Sequence, residues 1–317
     1  MKGQRIQPSW WRICLSLVAC ALSYRAAADV TVFSTQFEAA QGYSTNSDLI
    51  GQNGWVGEGS GGNGLLSNFM PGQGQQAYIG FSPPNPGQDY LTVWKPIDYT
   101  PLTTGNPVVT FSVTMGVADS GNTNYDNFRW SVYNSQGNRL FSIDFDNYYL
   151  DVNYQLDGTN ELFLTGTPFN NSSFYNLSVT MNFASNRWTA VLDKAVIASN
   201  QPITTTGAPL NLGDVDAVWL VFNTNRPGNN YLLFDNYKVT AAPSLPGRPL
   251  LQLLSKVGNQ TSLRLLGESG WRFAIDATTN FTQWTPLKTN IVSDGSFDYV
   301  DTAASAARRF YRARFVP

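Results

Sequence analysis

The chain has 317 residues, of which 42% are hydrophobic and only 13% are charged, and its formal net charge is −2. This length leaves room for one large and one small domain, and the lack of a basic surplus argues against nucleic-acid binding. The sequence contains no histidine, which excludes a Ser-His-Asp triad, a Cys-His dyad and any His-ligated metal site.

Residues 1–28 have the pattern of an export signal. A positively charged beginning precedes the apolar run Ile13–Leu22, and Ala26–Ala28 forms a small-residue cleavage site. Leu17–Cys20 resembles a lipobox and offers the alternative of a lipid attached to Cys20. Either reading predicts an extracellular or cell-surface protein, and no later segment is apolar enough to span a membrane. Both cysteines lie in this segment, so a mature chain without disulfides needs a sizeable core.

Alternation of apolar and polar residues predicts β-strands along most of the remaining chain. Val30–Phe37 is the first predicted strand, and Pro107–Val117 shows the strictest alternation. Residues 217–239 form two apolar runs joined by a turn rich in Gly, Asn and Pro. In the second run, Tyr231–Val239, the odd-numbered residues are predicted to share one face, which places Asp235 among apolar neighbours.

Roughly ten strands and no long helix predict an all-β fold with the two packed sheets of a jelly roll. The polar stretch Gln41–Asn68 is predicted to be a surface loop that Trp55 anchors to the sandwich, with disorder as the alternative. Asp144 and Asp146 alternate with an inward apolar row. We therefore expect both carboxylates to face solvent.

Several segments together carry a family resemblance: FEAAQGY, GQNGW, LFSIDFDN, YNLSVTMNF, RWTAVLDK and DAVWLVF. They resemble the concanavalin A-like (laminin-G/lectin-like) jelly rolls of secreted proteins from verrucomicrobial and planctomycete-type bacteria. The resemblance covers about residues 29–240, and a proline-rich linker follows at 241–249. Residues 250–317 resemble a small C-terminal β-module of the same secreted proteins. The expected architecture is a large two-sheet jelly-roll sandwich followed by a small β-sandwich-like domain.

The C-terminal segment has an aromatic set that predicts its core: Trp271, Ile275, Trp284, Tyr299 and Phe310. It also has a basic cluster near its end: Arg308, Arg309, Arg312 and Arg314. We interpret this cluster as a solvated strand face, with contact to an anionic envelope surface as the alternative.

The resemblance to carbohydrate-binding jelly rolls also implies a structural calcium between a Glu on the first strand and an Asp on the last. In this sequence the matching positions are Glu38 and Asp235. Calcium takes six to eight oxygen ligands, so backbone carbonyls and Asn236 would have to contribute as well. The alternative is that Asp235 accepts hydrogen bonds from backbone amides of a neighbouring loop.

Five residues on predicted loops or outward rows are candidates for glycan binding, because sugar C–H faces stack on aromatic rings and hydroxyls bond to polar groups. They are Tyr125, Arg129, Tyr148, Tyr149 and Asn225. For each, the alternative is a surface side chain without a ligand. The expected partner is a polysaccharide or a cell-surface glycan.

No catalytic motif is predicted. Ile143–Asp146 invites comparison with the E-x-D-x-x-E signature of laminarinase-like jelly-roll glycosidases, but its outer acids are replaced by Ser142 and Asn147, and a glycosidase needs two carboxylates across a cleft. The first hypothesis is a secreted or surface-associated, non-catalytic carbohydrate-binding module. A structural envelope or matrix protein without a small ligand is the second, and a polysaccharide-degrading enzyme is the third.

Overall fold

The computed structural model describes residues 29–159, 161–171, 173–244, 247–269, 271–303 and 308–316. The predicted export signal, with its cleavage site and Cys20, lies outside the described residues. Within the described ranges, no helix is long and apolar enough to cross a membrane. Strands dominate the described residues, and the helical content there is two short 3-10 turns, Ala39–Gln41 and Gln52–Gly54. The prediction of an all-β sandwich fold is confirmed.

The strands of the large sandwich follow one another in chain order: β1 (Val30–Thr35), β2 (Val56–Gly59), β3 (Asn63–Ser67), β4 (Gln75–Gly80), β5 (Tyr90–Trp94), β6 (Val108–Ala118), β7 (Asn127–Tyr133), β8 (Arg139–Asp146), β9 (Asp151–Leu156), β10 (Phe163–Pro168), β11 (Tyr175–Asn182), β12 (Arg187–Leu192), β13 (Ala195–Pro202), β14 (Asp214–Leu220) and β15 (Tyr231–Ala242).

These strands form two antiparallel sheets. Sheet A has the order β13-β12-β11-β6-β15-β4-β3, with β1 also paired to β15, and sheet B has the order β10-β9-β8-β7-β14-β5-β2. Both sheets contribute to one core, in which Phe111 and Tyr237 of sheet A meet Trp130 of sheet B. The Tyr237 hydroxyl donates a hydrogen bond of 3.0 Å to the carbonyl oxygen of Val215. That bond joins β15 to β14 across the two layers.

The polar stretch Gln41–Asn68 is more ordered than a loop. Trp55 is buried as predicted, and its Nε1 donates to the Tyr43 hydroxyl at 2.9 Å. The stretch also contains β2 and β3, which the sequence did not predict because glycines replace the alternating side chains of a strand. At Gly62 the neighbouring backbone comes so close that an added Cβ would lie 2.2 Å from the carbonyl oxygen of Gly80. Glycine therefore permits the close approach of the chain to β4.

Strand β15 changes face in its middle, and the predicted grouping of its side chains was wrong there. The register with β6 shifts between Asp235 and Lys238, and Asn236 has a φ of 53°. Such a bulge reverses the alternation of side chains. Tyr237 and Val239 consequently point into the core, whereas Asp235 lies on the other side of the sheet, with Tyr231 and Leu233 as predicted but not with Tyr237 and Val239.

The small sandwich has six described strands in two sheets: β16 (Leu250–Val257), β17 (Gln260–Leu266), β18 (Arg272–Thr278), β19 (Thr285–Ile291), β20 (Ser296–Asp301) and β21 (Phe310–Phe315). One sheet has the order β16-β17-β20 and the other β19-β18-β21. Its buried core consists of Leu263, Leu265, Phe273, Ile275 and Val292.

Ile275 was predicted correctly for this core, and Trp271 and Tyr299 pack against it. Trp284 and Phe310 were assigned wrongly. Trp284 lies under the guanidinium of Arg312, 4.3 Å from ring centroid to Cζ, and the Phe310 ring lies against Phe281. Each is a side chain on a strand end or loop, where alternation alone does not distinguish a core ring from a peripheral one.

The basic cluster is not a solvated face. Arg309 pairs with Asp301 at 2.6 Å, and Arg312 and Arg314 both pair with Asp276, at 3.0 and 2.8 Å. Both aspartates are almost fully buried. Two acids pair with three of the four arginines and offset two of the four positive charges, so two positive charges of the cluster remain.

Candidate functional site

Alternate residues of sheet B point away from the core and form a polar surface, which we call the outer face of sheet B. On β14, Val215, Ala217 and Trp219 lie in the core, so Asp214 and Asp216 are on the outer face. Cross-strand registers align the side chains of β9, β8, β7, β14, β5 and β2 into a row: Asn153, Asp144, Arg129, Val218, Thr92 and Glu58.

An ion pair forms the centre of this row. Arg129 Nε donates to Asp144 Oδ1 at 2.5 Å, and the Ser142 hydroxyl donates to Asp144 Oδ2 at 2.8 Å. Asp144 is 6% exposed, so the prediction that it faces solvent was wrong. The long Arg129 side chain covers it from the adjacent strand. Burial raises the pKa of Asp144, while Arg129 and Ser142 oppose that rise.

A second acidic pair lies beside this row and was missed in the sequence. Asp214 and Asp216 are two residues apart on β14 and therefore share a face, and Thr92 Oγ1 donates to Asp216 Oδ2 at 2.9 Å. Burial raises the pKa of both carboxyls, and the charge of Asp214 adds to the rise at Asp216. Two carboxyls in this position hold one proton between them. The Asp-x-Asp spacing on a strand was the signal that could have revealed the pair.

Exposed tyrosines form a rim at one end of the outer face. Tyr148 and Tyr149 lie in the turn between β8 and β9 and are 67% and 71% exposed. Asp146 Oδ1 accepts hydrogen bonds from both of their backbone N–H groups, at 3.0 and 3.1 Å. The ring centroid of Tyr148 lies 4.9 Å from that of Tyr149 and 6.1 Å from that of Tyr125. Asp146 thus fixes a turn that presents a cluster of three rings, the tyrosine rim.

The other predicted glycan residues have different positions. Arg129 lies in the row described above and is engaged by Asp144. Asn225 is exposed in the turn after β14, where its N–H donates to Asn223 Oδ1 at 3.1 Å. Phe222 precedes this turn and was missed, although its ring is 85% exposed. It directly follows the apolar run of β14, and in the sequence it looks like part of the core strand.

The floor of the outer face contains polar atoms that lack partners. Asn153 Oδ1, Asp214 Oδ1 and Asp216 Oδ1 are buried and have no hydrogen-bond partner in the described part of the chain. At the end opposite the tyrosine rim, an open cavity of about 600 Å³ is lined by Tyr133, Arg139 and surrounding loop residues. Buried polar groups normally have partners, so these atoms are unusual, but their burial keeps them out of reach of a ligand on the surface.

The predicted calcium residues lie close together near β4. Glu38 Oε1 accepts from the N–H of Gln75 at 3.2 Å, and Asp235 is buried with its Oδ1 accepting from the N–H of Asn236 at 2.6 Å. Burial raises the pKa of Asp235 to about 6, and the negative charge of Glu38 contributes. The side-chain oxygen of Gln75 is buried without a partner.

Glu38 and Asp235 offer two carboxylates, which suit a calcium ion. The Gln75 side chain shares the core side of β4 with Ala77 and Ile79, whereas the side chain that donates to Asp235 is that of Gln76. No group of three acidic, His or Cys side chains suited to a metal occurs among the described residues. Further ligands of such an ion would therefore be neutral oxygens of side chains, backbone or water.

No protein-family model matches the sequence. No curated protein matches it either. Similar solved structures include a sialidase (8% identity, 66% of this chain and 18% of that chain, TM-score 0.47) and cellulose induced protein Cip1 (11% identity, 68% and 100%, TM-score 0.46). Lectin II from Ulex europaeus is another (9% identity, 62% and 100%, TM-score 0.42). These TM-scores lie below 0.5, so the likeness is one of general β-sandwich arrangement and no function follows from it.

The acidic pair predicts an unusual pH dependence of stability. The folded state holds the shared proton more tightly than the unfolded chain, whose Asp pKa is about 3.9. The free energy of unfolding therefore falls as the pH rises above that value, until the pair loses the proton. Asp216→Asn removes one ionisable carboxyl. We therefore expect the melting temperature of this variant to fall less between pH 5 and pH 9 than the melting temperature of the wild type.

Asp89→Asn is the matched control, because Asp89 is an exposed carboxylate next to β5. Its melting curve should follow the wild type at every pH. Parallel pH profiles for the wild type and Asp216→Asn would contradict the shared proton.

Proposed function

We propose that this chain is a non-catalytic module, exported from the cell, that binds a glycan along the outer face of sheet B. The observation that carries the proposal is the tyrosine rim, held open to solvent at one end of the outer face. Sugar rings have apolar C–H faces that stack on aromatic rings and hydroxyls that need hydrogen-bond partners. The outer face offers both kinds of contact on one surface.

The tyrosine rim supplies stacking surfaces in a fixed geometry. Tyr148 and Tyr149 stand at 89° to each other, so their faces point in different directions. The two hydrogen bonds to Asp146 hold their backbone before any ligand arrives. Preorganisation of this kind reduces the entropy that binding would otherwise cost.

The length of the strands makes the site long enough for an extended ligand. The eight residues of β8 run from Arg139 in the cavity to Asp146 at the tyrosine rim, a length of about 25 Å at roughly 3.3 Å per residue. Several sugar rings fit along this distance. Arg129 and Arg139, whose side chains are partly exposed, provide donors along the outer face.

A structural role without a ligand and an enzymatic role are the alternatives. Hydrolysis of a glycosidic bond uses one carboxyl on each side of the scissile bond. Here Asp144 is paired with Arg129, and Asp214 and Asp216 are neighbours on a single strand. This arrangement supports binding better than hydrolysis.

Replacement of the tyrosines tests the proposal. Tyr149→Ala and Tyr148→Ala remove exposed stacking faces without opening the core, so we expect at least a tenfold loss of affinity, the equivalent of about 1.4 kcal/mol. The measurement is affinity electrophoresis against a panel of soluble polysaccharides, followed by calorimetry with the best ligand.

Phe81→Ala is the matched control, since its ring is 55% exposed but contacts Tyr231 of sheet A. Binding by this variant should equal that of the wild type. A wild-type protein that binds none of the polysaccharides would favour the structural role, and release of reducing sugar would favour the enzyme.

We also propose that Glu38 and Asp235 hold a structural calcium ion. The support is the proximity of the two acids, one of which is buried and feels the charge of the other. When bound, the ion would neutralise a carboxylate whose burial otherwise opposes ionisation. It would also link the segment after β1 to the middle of β15, and the resulting stabilisation of the folded state would increase with the calcium concentration.

Calcium at about 5 mM, above the range of dissociation constants typical of extracellular sites, should raise the melting temperature at pH 7.5. The increase should shrink below pH 6, because protons compete for Asp235, whose pKa is about 6. Asp235→Asn should abolish the response, whereas Asp216→Asn should keep it. Equal melting temperatures with calcium and with a chelator at pH 7.5 would refute the site.

A further inference from the structure

The small sandwich has an unusual edge strand. β16 pairs with β17 on one side and is the end strand of its sheet, so its other side presents unpaired N–H and C=O groups. Its exposed side chains are mainly apolar: Leu250 is 56% exposed, Leu253 65%, Leu254 46% and Val257 74%. Edge strands are usually protected by several charges, by proline or by shortness. β16 has eight residues, and its one charged residue is Lys256.

A bulge divides β16 into two halves with opposite alternation. Leu253 lies opposite Leu263 and Ser255 lies opposite Ser262, which leaves Leu254 as the extra residue. Before the bulge, Leu251 and Leu253 share the inner side of the sheet with the buried residues of β17. After it, Lys256 is the residue on that side, because it lies opposite the buried Thr261. The remaining side chains lie on the outer side: Leu250, Gln252, Ser255 and Val257.

We propose that β16 pairs antiparallel with β16 of a second copy of this chain, about a two-fold axis between Leu253 and Leu254. In this register Leu250 of each copy lies opposite Val257 of the other, and Leu253 lies opposite Leu254. The four exposed apolar side chains of one copy therefore meet the same four of the other. Gln252 lies opposite Ser255, which pairs polar with polar.

The bulge explains why this register is selected. Residues directly opposite in an antiparallel pair must lie on the same side of the sheet, and a two-fold axis perpendicular to the sheet preserves the sides. Without the bulge, Leu250 and Val257 would lie on opposite sides, since they are seven residues apart. With it, both lie on the outer side, and Leu251 and Lys256 both lie on the inner side. Shifting the pairing by one residue places inner side chains opposite outer ones.

The inner side of the edge has room for the second copy. A cavity of about 420 Å³ opens beside β16. Its lining includes Leu251, Leu253 and Leu263, the rings of Phe310 and Tyr311 of β21, and the cationic side chains of Lys256 and Arg309. Side chains at the axis would cover the apolar part of this lining from both copies. One paired edge strand buries less than the roughly 1,200–2,000 Å² of stable complexes. The expected species is a weak, reversible dimer.

The dimer has a closed symmetry, because each edge is used once and none remains for a third chain. It would join two large sandwiches and so two tyrosine rims. This inference goes beyond glycan binding and does not depend on it.

The test uses the full chain in sedimentation velocity over a range of concentrations. The wild type should shift from monomer to dimer as the concentration rises. Val257→Lys and Leu250→Glu each place charges at both ends of the pairing, where the wild type has only apolar side chains, so each variant should dimerise more weakly than the wild type. The double variant Leu250→Glu/Val257→Lys should dimerise again, because the register places Glu opposite Lys at both ends.

Val196→Lys is the matched control, since Val196 is 58% exposed on β13, the edge strand of sheet A. This variant should dimerise like the wild type, and circular dichroism should show that all variants are folded. A wild type that stays monomeric at about 1 mM, where even a Kd of 1 mM gives substantial dimer, would overturn the proposal. So would open-ended oligomers, or a double variant that fails to recover.

Discussion

The inward position of Tyr237 is the constraint on which the large sandwich depends. Its ring contacts Phe33, Trp55 and Phe111, and its hydroxyl bonds to the other sheet at Val215. A buried hydroxyl without that bond would cost about 1–3 kcal/mol, so the bond fixes how the two sheets face each other. Tyr237 reaches the core because of the bulge in β15, and the same bulge turns Asp235 away from the core and towards Glu38. One local backbone change therefore provides both the centre of the core and the candidate calcium residues.

In sheet B, the alternation of side chains along each strand determines which polar residues lie together on the outer face. The buried rings of β7, β8 and β14 require that every second residue face outwards, and those positions contain Arg129, Asp144 and Asp216. The sandwich thus determines which polar residues share a surface. The turn that follows β8 then places Tyr148 and Tyr149 at the end of that surface. The candidate glycan site is in this sense a consequence of the core pattern.

Sequence patterns predicted the position of a strand, or the exposure of a side chain, where that feature depends on a single strand or turn. Alternation alone predicts β6, and exposure of Tyr148 and Tyr149 follows from a polar turn between two apolar rows. Features that depend on neighbouring strands were not predictable in this way. The burial of Asp144 depends on Arg129, fifteen residues away and on another strand. The bulge in β15 depends on one left-handed residue, Asn236, which leaves no mark in the alternation.

Two of the buried acidic sites of the large sandwich solve the same electrostatic problem in different ways. Burial raises the pKa of Asp216 and of Asp235, because a low dielectric penalises the charged form. Asp216 has Asp214 on the same strand, so a shared proton can satisfy both carboxyls without any ligand. At the other site, the N–H group of Asn236 donates to the Asp235 carboxylate, which opposes the effect of burial, while the negative charge of Glu38 adds to the rise in the Asp235 pKa. A bound cation, as proposed above for calcium, would relieve the repulsion between the two carboxylates.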